Sequence, residues 1–175
     1  MENQIDQTEQ TEKTTAEGIP GITQPLLDPR IGEEVAALAR RRRSRVADVG
    51  VALPETFGRV VIAEVDSPFR SFMIPVSLDQ AAMIATTLKS TARKRPLLSD
   101  VLVDTLNQFS MAIAMVSITG RQGDVFLAEL SVVDSQGRQR NMPIRPSDAI
   151  LVALSAPVTP PIMVDDSLFG PVTAG

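Results

Sequence analysis

An α+β domain, built on a mixed and largely antiparallel sheet of about six strands with helices packed on it, is the fold this sequence predicts. Runs of β-branched and aliphatic residues of strand length are punctuated by Gly-, Pro- and Asp-containing turns. Pairs of those runs read as hairpins and are interrupted by single helical segments, which argues against a regular alternation of strand and helix. Apolar residues make up 43% of the 175 and charged residues 22%, as in an ordinary globular chain. The core must be aliphatic, because the chain has no Trp, no Tyr and only 6 Phe.

Residues 1–27 are rich in Gln, Thr and Glu and are then broken by Gly18, Pro20, Gly21 and Pro25. So little apolar surface cannot offset the entropy of ordering, and a disordered tail is expected. Residues 28–44 read as a basic amphipathic helix. Asp28 is placed to cap it, Pro29 suits the first helical position, and Glu33 and Glu34 complement the positive end. Ile31, Val35 and Leu38 form its apolar stripe. The helix is expected to end in Arg40-Arg41-Arg42-Arg43, whose cations either complement its dipole or pair with the phosphates of a nucleic acid.

The domain proper is expected over residues 45–169. Val46–Leu53 and Arg59–Val65 form a hairpin, and Asp66-Ser67-Pro68 turns the chain into a strand over Phe69–Val76. Ser77-Leu78-Asp79-Gln80 has the spelling of a capping box and opens a helix to Ser90, with Ala81, Ile84, Ala85 and Leu88 on one face. A basic connection with Arg93, Lys94 and Arg95 leads to a helix over Ser99–Phe109, with Leu102, Leu106 and Phe109 inward. Strands over Met111–Thr119 and Val125–Val133 join through Arg121-Gln122-Gly123-Asp124, and Met111, Ile113 and Met115 alternate as core. A strand over Arg138–Ile144, a helix from Pro146 to Leu154 and a short strand at Ile162–Val164 complete the domain, and residues 170–175 form a flexible end.

Composition excludes several chemistries. Without cysteine there is no disulfide, thiolate zinc site or Cys nucleophile. Without histidine, the usual neutral-pH base and every Ser-His or Cys-His pairing are lost. Hydrolysis would fall to carboxylates, Lys or Arg, hydroxyls and an oxygen-ligated divalent metal such as Mg²⁺ or Mn²⁺. The net charge of −4 opposes bulk attraction to nucleic acid. No secretory signal and no membrane-spanning apolar run is present, so a cytoplasmic protein with no membrane association is expected.

Several blocks resemble the bifunctional nuclease family. They are Ile74–Leu88, a strand running into an Ala-rich helix, and Arg95-Pro96-Leu97-Leu98-Ser99-Asp100, similar to the family's Arg-Pro-Leu-Thr-His-Asp. Phe126-Leu127-Ala128-Glu129-Leu130 resembles its Phe-Tyr-Ala-Glu-Leu strand. The most specific block is Arg145-Pro146-Ser147-Asp148-Ala149-Ile150 with the later Pro161-Ile162-Met163-Val164. The resemblance implies an α+β fold, a homo-oligomer (a dimer first), and nuclease activity on RNA and DNA. The sequence departs from the family's polar positions at Gln80, Leu98, Ser99 and Pro143.

Phosphodiester hydrolysis without His calls for carboxylates on a divalent metal and a cation on the phosphate. Asp100 and Asp148 sit in the first turns of two predicted helices, with Arg95 and Arg145 beside them. Were the two helix starts to converge, the acids would form a metal-holding pair and the arginines and exposed N–H groups a phosphate cradle. Glu129 is a further candidate acid, and Arg93, Lys94, Arg95 and Ser147 are candidate phosphate contacts. Each also has a structural reading: Asp at a helix start favours the dipole, Ser caps, and Arg145–Asp148 is a local ion pair. A non-catalytic module recognising an anion is the alternative function.

Overall fold

The computed structural model describes residues 29–170 apart from 53, 55 and 90–94. Asp28, Arg93 and Lys94 lie outside the described residues. The elements run α1 (Pro29–Ala39), β1 (Arg41–Ala52), β2 (Phe57–Glu64), β3 (Ser71–Val76), α2 (Leu78–Leu88), α3 (Leu98–Gln108), β4 (Met111–Gln122), β5 (Val125–Asp134), β6 (Gln139–Ile144), α4 (Pro146–Ser155) and β7 (Ile162–Asp165). A single 3-10 turn follows at Asp166–Leu168.

These strands form one sheet in the order β3-β2-β1-β7-β4-β5-β6. Neighbours are antiparallel except β7 and β4, which run parallel through Val116↔Ile162 and Ile118↔Val164. The fold is therefore α+β with a mixed sheet, and it has 7 strands where about six were expected. The short Ile162–Asp165 run, expected as a strand, stands near the centre of the sheet and joins its two halves.

Helices α2, α3 and α4 pack on one face. α2 lies over β1 and β2, and α4 over β4 and β5 with α3 beside it. Between helices and sheet lie fully buried Ile62, Ile84, Ile118, Leu130 and Ile150, the aliphatic core that the composition demands. Gly58 lets α2 sit close: a Cβ there would overlap the Cβ of Ala81. The sheet coils strongly. Phe72 on β3 and Phe126 on β5 are separated by four strands in the sheet order, yet their ring centroids are 5.6 Å apart.

The arginine run departs most from expectation. α1 ends at Ala39, and Arg41, Arg42 and Arg43 belong to β1, paired with Asp165, Val164 and Met163 of β7. Alternation sends Arg42 to one face, where its Nε donates to Asp166 Oδ1 at 3.0 Å, and Arg41 to the other. Val35 and Leu38, the expected stripe of α1, are 60% and 44% exposed. Phe109, expected inward, is 73% exposed, and Val103 with Leu106 fills the core instead. Met111 and Ile113 pack against the core. A register shift between Ile113 and Met115 then turns Met115 to the opposite face, beside Arg41.

Candidate functional site

The start of α4 is dictated locally. A residue before proline is driven into extended backbone, and Pro146 at the first helical position accepts the helix geometry without needing an N–H partner. Arg145 accordingly caps α4 with φ −69° and ψ 141°. From there its Nε donates to Asp148 Oδ2 at 2.7 Å, one turn along the helix. The Arg145 side chain is 76% exposed and that of Asp148 33%.

The second helix start at this place is that of α2. Ser77 caps it, its Oγ accepting from the Gln80 N–H at 3.3 Å. Gln80 then reaches across and its Nε2 donates to Asp148 Oδ1 at 3.4 Å. Both carboxylate oxygens of Asp148 therefore have donors, one from each helix. Ser77, Gln80, Arg145 and Asp148 stand on the rim of a cleft of about 570 Å³ whose walls are Met83, Leu97, Leu102, Ile144, Leu151 and Val152. On its other side the same four-residue rim continues, through Arg145 and Gln80, into a hollow lined by Ser147, Phe126 and Asp124.

Asp100 itself does not line this cleft, although Leu97, Leu98 and Ser99 before it do. Its Oδ2 accepts from the Leu97 N–H at 2.7 Å and closes the start of α3. The start of α3 lies against the end of α4, where Ser155 Oγ donates to Ser99 Oγ at 3.0 Å. Ser155 is seven residues beyond Asp148, about 10 Å along a helix. Among the described residues, no group of three or more Asp or Glu side chains is arranged to hold a metal ion. The donor set at Asp148, one carboxylate already bonded to two neighbours, does not fit a Mg²⁺ or Mn²⁺ site.

Ser147 is buried in the first turn of α4. Arg95 is exposed just before α3. Glu129 lies on β5 opposite Ser117, on the sheet face away from α4, with its Oε2 3.8 Å from Arg41 Nη2. The structure thus brings Arg145 and Asp148 together with Ser147 beside them, sets the start of α3 on the same cleft with Asp100 turned to the Leu97 N–H, and places Glu129 on the other face of the sheet. The sequence marks Gln80 twice, as a departure from the family pattern and as the last residue of the capping-box spelling, but neither signal places it on Asp148. No sequence signal marks Ser77 and Met83 as cleft residues.

A curled seven-stranded mixed sheet, with two helix starts and an exposed Arg145–Asp148 pair at one rim, defines an α+β domain with a polar-rimmed cleft. The family profile of the bifunctional nuclease domain matches residues 60–173. The match covers well over half of the chain, and the protein belongs to that family. No curated protein matched the chain.

Proposed function

We propose that this protein binds nucleic acid at the joined starts of α2 and α4, with Arg145 taking a backbone phosphate. The observation that carries the reading is the Arg145 guanidinium, exposed at the rim of the cleft and held by one local carboxylate. An exposed ion pair of this kind is worth about 0–1 kcal/mol, so a phosphate oxygen displaces Asp148 at little cost. Arginine suits the task because its planar fork meets two phosphate oxygens, and the first-turn N–H groups of α4 add donors. Membership of a nuclease-type family supports nucleic acid as the source of the phosphate.

The test is fluorescence anisotropy with single- and double-stranded RNA and DNA. Arg145→Ala is expected to weaken binding by about ten-fold and to flatten the dependence of log K on log salt by about one phosphate. Unchanged affinity and unchanged slope would discard the site.

A second reading, hydrolysis at the same site, is favoured by the family itself. Arg145 would bear the phosphate, Asp148, released from it, would accept the proton of the attacking water, and the ester oxygen would depart as its P–O bond breaks, taking a proton from solvent. Purified protein is incubated with the same substrates in Mg²⁺, Mn²⁺ and chelator. Cleavage that vanishes in Asp148→Ala supports this reading; equal background in both proteins leaves a binding module. The assembly we infer is a homodimer, supported by the exposed Val35 and Leu38 of α1 and read directly by sedimentation velocity.

A further inference from the structure

The face of the sheet turned away from α2, α3 and α4 carries a second polar cleft, of about 270 Å³, lined by Leu38, Arg41, Met115, Gln139 and Asn141. Its surroundings are built rather than incidental. Ser117 and Ser131 are fully buried here, although both belong to the face turned away from α2, α3 and α4. Ser117 Oγ accepts from Arg41 Nη1 at 3.0 Å and holds the guanidinium in place. Ser131 Oγ donates to Asn141 Oδ1 at 2.7 Å, and Gln139 Nε2 donates to the same oxygen at 3.1 Å.

That network decides which atoms remain for a ligand. With its oxygen engaged twice, Asn141 offers only its amide nitrogen, which has two hydrogens to donate. Arg41 has five N–H donors, and Ser117 takes one of them well. Among the described residues, Nη1 otherwise meets the Met115 sulfur at 3.9 Å, a weak acceptor. Nη2 lies 3.8 Å from Glu129, beyond hydrogen-bond length, and Glu129 does not line the cleft. The cleft therefore presents underused donors and a positive charge, with Leu38 and Met115 as its apolar part. Such a wall selects a ligand rich in acceptors and negatively charged.

We propose that this cleft binds a small oxyanion, a phosphate ester or a carboxylate, independently of the site at α4. Glu129 weighs against it by sharing the charge of Arg41, but at 3.8 Å it takes none of the guanidinium's hydrogen bonds.

The experiment is calorimetric titration of the full chain with inorganic phosphate and, separately, with malonate. Saturable binding of at least one is expected; phosphate alone identifies a phosphate ester and malonate alone a carboxylate ligand. Asn141→Asp is the decisive variant. It keeps the oxygen that Ser131 and Gln139 donate to, and replaces the free amide nitrogen by an anionic oxygen. It should weaken binding by at least about ten-fold while circular dichroism stays unchanged. Arg41→Gln should do the same, and all titrations are compared on an Arg145→Ala background, so that phosphate held at the α4 site does not enter the signal. Failure of both anions to bind, or binding that survives Asn141→Asp, overturns the proposal without touching the α4 site.

Discussion

Asp148 accepts from Arg145 and from Gln80 at once, and this double engagement makes its own role testable. If it serves to park the arginine, removing its charge frees Arg145 for phosphate. Asp148→Asn should then tighten nucleic-acid binding by roughly two- to five-fold, the worth of an exposed pair. A fall in affinity measured by anisotropy would instead place Asp148 among the binding groups. A different carboxylate governs behaviour in acid. Hydrogen bonds from Arg42 and then Arg70 hold the Asp166 carboxyl below its ordinary value of 3.8. A lowered folded pKa means that the stabilisation is complete above the ordinary value and is lost as pH falls from there through the folded value. Asp166→Asn should therefore lower the urea midpoint near neutrality, and the gap to the parent protein should shrink at about pH 3. A gap that stays constant would show that the ionised carboxylate contributes nothing.

At the scale of elements, the closeness of α2 to β2 depends on Gly58 lacking a side chain. Gly58→Ala forces an overlap with Ala81, and overpacking of this kind costs about 1–3 kcal/mol. Chemical denaturation measures it; a variant as stable as the parent would show that α2 shifts freely on the sheet. Elements set by local chemistry were legible in the sequence. Ser77 caps α2, Pro146 starts α4, and turns separate β4, β5 and β6 where Gly123 and Gly137 take positive φ. Arg145 and Asp148 were legible as a pair because they stand one turn apart on one helix. What needed the fold were the distant partners. Gln80 meets Asp148 from 68 residues away and Arg41 meets Ser117 from 76. The arginine run misled for the same reason. Arginine is a good helix former following an apolar stripe, and only Asp166, Ser117 and the β7 register make a strand of it. Phe109 misled because one residue beyond α3 the helical periodicity no longer applies.

The whole molecule depends on where the sheet begins. β1 is the strand to which both halves are anchored, by β2 on one side and β7 on the other. Its first residues are essential to that role: Asp166 N–H donates to Arg40 O at 2.9 Å, Arg42 to Ser44 pair with β7, and Arg42 with Arg70 grips Asp166. α1 contributes little by comparison, since its Val35 and Leu38 remain largely exposed and full burial of such a side chain yields only about 1.5–3 kcal/mol. A chain beginning at Arg40 should thus unfold cooperatively, with stability within about 1 kcal/mol of the full protein. A chain beginning at Val46 loses the β1–β7 ladder and Arg42's hold on Asp166, and its two halves are left joined through the helices, the Phe72 ring contacts and the Arg70–Asp166 pair. It should show a broadened or split unfolding transition by calorimetry. If the first shortening already destroyed the cooperative transition, α1 would belong to the folding unit and the boundary of the domain would move forward to Pro29.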